Sequence, residues 1–339
     1  MPAELDSMFW VAEDGAPWHQ QGTRVEYKVD SGKEAQTLAG LDWTADLKPL
    51  YFESNLTIKK VTEEGHWYRE NQKVESDRFA VVRSDTEAYL GSVGRKFEHM
   101  QNDQLFALLD EIAGSGDIEY RTAGALKGGR IVWALMSLPS FMRVGKDDIV
   151  NQFLLASNAH DGSRSLRLNP TDVRVVCNNT LTQADAIADS QEKGGVISIQ
   201  KFWHTAGINQ RAWDHAKAMA GIRELSKKTE ELYNELAKHH VDQVEVDGFM
   251  DDIFPIAEDA KRPTRMLNMR EKVLNRFEGS ELGADLETSR GTAWGLYNAL
   301  AAYTDHDQGN DVDQRTFNAW FGRGVTMKEQ GLAYVSGLL

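Results

Sequence analysis

A chain of 339 residues with 41% apolar and 27% charged residues has the composition of an ordinary globular protein, long enough for one large domain or two smaller ones. Its formal net charge of −14 repels phosphate over most of a surface, so a nucleic-acid role requires a local basic face. The single cysteine excludes an intramolecular disulfide and a cysteine-rich zinc site. It fits a reducing cytoplasm, as does an N-terminus without a signal-peptide pattern.

In chain order, the first 200 or so residues read as strands with short helices. Segments 43–53, 56–62, 78–83 and 88–93 are short runs separated by turn residues. Asn102 then caps a helix with Leu105, Leu108, Leu109 and Ile112 on one face, ended by Gly114 and Gly116. A hairpin follows, 118–123 and 130–138 around Lys127-Gly128-Gly129, and its second strand is apolar nearly throughout, as a strand covered on both faces would be. That run is far too short to cross a bilayer, so no membrane association is expected. Segments 153–157, 172–177 and 196–204 read as further strands, with Asn178 capping a helix to about residue 188.

Beyond residue 206 the pattern turns helical. Met219, Ile222, Leu225, Thr229, Leu232 and Leu236 recur at steps of three and four, which predicts one long helix over 209–240 with a narrow packing stripe. Helical segments near 243–254, 265–279, 289–304 and 313–336 follow. The expected architecture is therefore α+β: a strand-rich region over 1–206, with an antiparallel sheet crossed by a helix, then a helical region over 207–339.

The charge is segregated. Residues 121–180 hold eight Lys and Arg against four Asp, a local +4 within the −14 chain. Arg121, Lys127, Arg130, Arg164, Arg167 and Arg174 fall on or beside neighbouring predicted strands. If those strands share a sheet, the six form one strip suited to phosphate, with Trp133, Phe153, Phe97 or Tyr89 as stacking faces. The competing reading pairs the arginines with local acids and puts the aromatics in the core.

His160, Asp161 and Cys177 are the residue types of a base, its orienter and a nucleophile. Yet Asp161-Gly162 is an ordinary turn sequence, and Cys177 follows two valines in a strand, where a cysteine acts as a small hydrophobe. No metal motif appears: His239, His240 and the seven acids of 242–259 lack ligand spacing. The 124–130 loop lacks the order of a P-loop. No metal and no cofactor are expected.

Six motifs in order, Pro17-Trp18-His19, Tyr89-Leu-Gly-Ser-Val-Gly94, Gly124-Ala-Leu-Lys-Gly-Gly129, His160-Asp-Gly-Ser163, Arg174-Val-Val-Cys-Asn-Asn-Thr-Leu181 and Phe321-Gly-Arg-Gly324, give the chain a family resemblance. It resembles the phage/plasmid-like protein family over nearly its whole length, departing where Gln20-Gln21-Gly22 replaces a common Gly-Leu-Gly. The resemblance implies a gene of phage, prophage or plasmid origin, and hence the cytoplasm of a bacterial host, but supplies no catalytic residues. The expected arrangement is also similar, at the level of fold alone, to phage single-strand annealing proteins. That likeness implies a homo-oligomer that binds single-stranded DNA for annealing or recombination, with the six basic residues on phosphates. Two other expectations stand beside it. One is an enzyme acting on nucleotides or nucleic acid through His160 and Asp161. The other is an acidic factor that binds a host defence protein.

Overall fold

The structure, a computed structural model, describes residues 5–12, 22–113, 119–174, 179–182, 200–218, 222–256, 263–280, 283–310 and 312–339. Its strands are β1 (Leu5–Val11), β2 (Thr23–Val25), β3 (Ala45–Val61), β4 (Trp67–Arg83), β5 (Tyr89–Gly94), β6 (Glu119–Leu126), β7 (Ile131–Val144), β8 (Asp148–Ala159), β9 (Leu166–Arg174), β10 (Asn179–Thr182) and β11 (Gln200–Phe202). Its helices are α1 (Gly32–Leu38), α2 (Asn102–Ala113), α3 (Ile208–Ala218), α4 (Ile222–Leu236), α5 (Gln243–Ile253), α6 (Thr264–Glu278), α7 (Ala293–Ala302), α8 (Val312–Trp320) and α9 (Arg323–Ser336). A π-helical turn, Tyr303–Asp307, extends α7. None of the described helices is long and apolar enough to cross a membrane.

The fold is α+β, as the sequence predicts. The larger sheet runs β10-β9-β8-β7-β6-β1-β2, with β11 also pairing β9, and β3-β4-β5 form a smaller sheet. Alternation along β7 explains its apolar run. Val132, Ala134 and Met136 enter one core, together with α1, α2, α3 and the smaller sheet. Ile131, Trp133 and Leu135 enter a second core on the opposite face, covered by Ala319, Trp320 and Phe321 where α8 meets α9. A third core joins Met142, Val144 and Val150 at one end of the sheet to Tyr233, Leu236 and Trp294 of the helical region.

Three differences from the sequence reading have local causes. Segments 43–53 and 56–62 are one strand, β3, whose partner β4 begins at Trp67. Residues 71–77 of β4 are mostly polar and mostly exposed, so no apolar alternation marks them. Asn179–Thr182, expected to start a helix, pair with β9 as a strand instead. The long helix is described as α3 and α4, and Thr229, Tyr233 and Leu236 of α4 are buried within this chain. Met219, Cys177, Pro17-Trp18-His19 and the rest of the expected 178–188 helix lie outside the described residues.

Candidate phosphate-binding site

On β9, Arg167 and Asn169 stand opposite Ser157 and Leu155 of β8, and all four line a cavity on the second face of the large sheet. β11 lies antiparallel against β9 and sets Lys201 directly opposite Arg167. The turn between β8 and β9 adds Ser163 and Arg164. The junction of α8 and α9 supplies Trp320, Phe321 and Gly322, and the first turns of α9 supply Thr326 and Glu329. These residues enclose a cavity of about 420 Å³.

The basic residues extend past the cavity. Lys127 Nζ lies 4.4 Å, and Arg164 Cζ 5.5 Å, from the centre of the same Phe317 ring. Both contacts hold a cation over an aromatic face. The Lys127 ammonium is depressed by burial, then by the Arg164 charge and, more weakly, by that of Arg130, with the Asp161 charge opposing. The Arg164 guanidinium is depressed by burial and then by Arg167. Lys127, Arg130, Arg164, Arg167 and Lys201 thus make a continuous set of like charges, and none of them is held in an ion pair among the described residues.

Two carboxylates stand near. Asp161 accepts a hydrogen bond from the Ser163 backbone N–H at 2.9 Å, which shapes the turn carrying Arg164. Glu329 has its carboxyl raised by burial, an effect opposed by the charges of Lys201, Arg167 and Lys328. Gly322, which caps α9 without a side-chain hydrogen bond, lines the same cavity, so the positive end of that helix lies at its wall.

Two glycines of the quoted motifs fit because the backbone passes close to a neighbour. A Cβ on Gly91 would lie 2.7 Å from that of Asp161, so the β5 motif packs directly on the His160-Asp161 turn. A Cβ on Gly324 would lie 2.6 Å from the Asn318 carbonyl oxygen, a close approach set by the tight α8–α9 corner.

Two of the six expected basic residues lie elsewhere. Arg174 is 1% exposed: its Nε donates to Asp148 Oδ1 at 2.7 Å, its Nη2 to the other oxygen and to Ser289 Oγ. Arg121 is largely buried and pairs with Glu119 at 3.3 Å. The expected stacking faces divide similarly. Trp133 and Phe153 are buried, Phe97 stacks on His204 with centroids 4.5 Å apart, and Tyr89 is exposed.

His160 sits in the first core, fully buried, with its Nε2 2.9 Å from Asn102 Oδ1. Burial, then the His99 charge, pushes it down to about 3; burial likewise pushes His99 to about 4. Its neighbour Asp161 bonds to Ser163, so the two do not form a base and its orienter. Among the described residues no group of three His, Cys, Asp or Glu is placed to hold a metal ion.

Lys201, Glu329, Trp320 and Phe317 were not singled out from the sequence. The one signal available was the Phe321-Gly-Arg-Gly324 motif, which marks the corner that brings α9 onto the cavity.

The model of one family, described as a domain of unknown function (DUF932), matches residues 89–329. That span holds every residue of the site. No curated protein and no solved structure matches the chain.

Proposed function

The chain belongs to the DUF932 family, whose description assigns no activity, and from its site we propose that it binds single-stranded nucleic acid through the phosphates. The observation that carries this reading is the gathering of Lys127, Arg130, Arg164, Arg167 and Lys201 on one face of a chain with net charge −14. Five like charges with only Asp161 and Glu329 near them repel one another, and a phosphate backbone relieves that repulsion while releasing its counterions. Trp320 and Phe321, each 7% exposed, close the cavity wall, and the Phe317 ring holds Lys127 and Arg164 beside it.

Titrating fluorescent single-stranded and double-stranded oligonucleotides at low salt tests the reading. Binding of the single strand, weakened in Arg164→Gln, is expected; failure to detect either strand at low salt contradicts it. Annealing by an oligomer is the extension that the fold-level resemblance adds. Electron microscopy with and without single-stranded DNA decides it, since a ring or filament altered by DNA supports assembly and unchanged single particles oppose it.

A further inference from the structure

Within that phosphate reading, on which it rests, we propose that the 420 Å³ cavity takes one whole nucleoside monophosphate unit, with Glu329 reading a sugar hydroxyl or a base amino group. The unit is either a free nucleotide or the phosphorylated end of a strand; the chemistry is the same.

Charge is the first argument. Arg164, Arg167 and Lys201 line the cavity with one carboxylate, Glu329. Three cations against one anion leave two positive charges, the complement of a phosphomonoester near its second ionisation. A phosphodiester carries one negative charge and would leave the site unbalanced. Arg164 and Arg167 belong to one turn-and-strand segment and Lys201 to the distant β11, so the approach of Lys201 to the two arginines is a property of the fold.

The second argument is the carboxylate itself. A surface that only grips a sugar–phosphate backbone gains nothing from an acid among its cations, because the acid repels every phosphate. An ionised carboxylate is acceptor-only. It is useful when the ligand presents a donor, and a nucleotide presents hydroxyl and amino donors beside its phosphate. Burial raises the Glu329 carboxyl, and the charges of Lys201, Arg167 and Lys328 oppose part of that rise; the geometry that matters is that this acid stands beside the two cations in the same cavity wall.

The lining and size agree. Ser157, 7% exposed, together with Asn169 and Thr326 adds neutral polar groups, and Trp320 and Phe321 add aromatic wall. The volume lies in the range of small-molecule sites. The α9 N-terminus lies at the cavity wall, where a helix dipole favours an anion.

Calorimetric titration of the full chain compares deoxyadenosine monophosphate with inorganic phosphate and with deoxyadenosine. The monophosphate is expected to bind at least about tenfold more tightly than either. Oligonucleotides with and without a terminal phosphate separate the two sources. About a tenfold preference for the phosphorylated end assigns the site to strand ends, and no preference assigns it to free nucleotide. If the monophosphate binds no better than inorganic phosphate while oligonucleotides still bind, the inference falls and the strand-binding reading survives. If the monophosphate binds and no oligonucleotide does, the nucleotide site stands and the strand-binding reading falls; if nothing binds, both fall. Glu329→Gln, checked for an unchanged melting temperature, should strengthen phosphate binding and shrink the advantage of the monophosphate. An equal gain for both ligands would remove Glu329 as a reader.

Discussion

Arg167 and Lys201 face each other across an antiparallel pair of strands, two like charges at the position where sheets ordinarily place opposite ones. Directly opposed like charges destabilise a sheet, by a few tenths of a kcal/mol up to about 1 kcal/mol. Glu329 sets one carboxylate beside these two cations, and the arrangement is explicable if a further anion belongs between them. Lys201→Thr should therefore raise the melting temperature at low salt and lower oligonucleotide affinity at the same time. A variant that loses stability would argue that Lys201 serves the fold.

How much of this site was legible in the sequence depends on side-chain direction. Lys127, Arg130, Arg164 and Arg167 lie near one another, because a hairpin and its neighbouring strands keep nearby residues in one sheet. Arg174 did not, and the reason lies in counting: Arg167 and Arg174 are seven apart on β9, an odd step, so they leave opposite faces of the sheet. Lys201 and Glu329 were invisible because they arrive from a distant strand and helix, and no local pattern announces such a meeting. The two-sided burial of β7 was readable from its apolar run. Residues 71–77 of β4 were not, since none of them is buried to impose a pattern.

Arg174 serves the structure. Asp148 receives Arg174, the Trp294 indole N–H at 2.9 Å and the Thr288 hydroxyl at 3.1 Å, which ties the large sheet to the helical region. Removing one member of a buried, hydrogen-bonded pair leaves the other charge uncompensated, at a cost of about 3–5 kcal/mol. Arg174→Met should show that loss in urea unfolding, and the Arg174→Met, Asp148→Asn double variant should recover much of it. Oligonucleotide affinity of the folded protein should be unchanged in both.

The histidine cluster predicts a direction of pH dependence. His99 and His160 titrate near 4 and 3 when folded and near the ordinary 6.5 when unfolded. The unfolded chain therefore binds more protons between these values. Stability from these groups is complete above about pH 6.5 and falls as the pH drops toward 4, at up to about 1.4 kcal/mol per pH unit for each histidine. Urea unfolding across that window should show the slope, and His99→Phe should remove the contribution of one histidine. An unaltered slope in the variant would contradict this assignment.

Phe317 carries two cations on one ring, so its aromatic character matters more than its volume. Phe317→Leu keeps the apolar packing and removes the ring beneath Lys127 and Arg164. Each cation–π contact contributes about 0.5–1 kcal/mol or somewhat more when half-buried, as these are, so oligonucleotide affinity should fall several-fold with little change in melting temperature. Unchanged affinity would show that the ring does not position these cations for binding.

The salt dependence of oligonucleotide binding, compared between the natural chain and the Arg164→Gln, Arg167→Gln double variant, bears most directly on whether these side chains meet phosphates. Each phosphate that no longer meets a cation should flatten the slope of log affinity against log salt by about one. The expected result is a double variant flatter by about two and weaker at every salt concentration. Equal slopes and equal affinities in the two proteins would contradict the account.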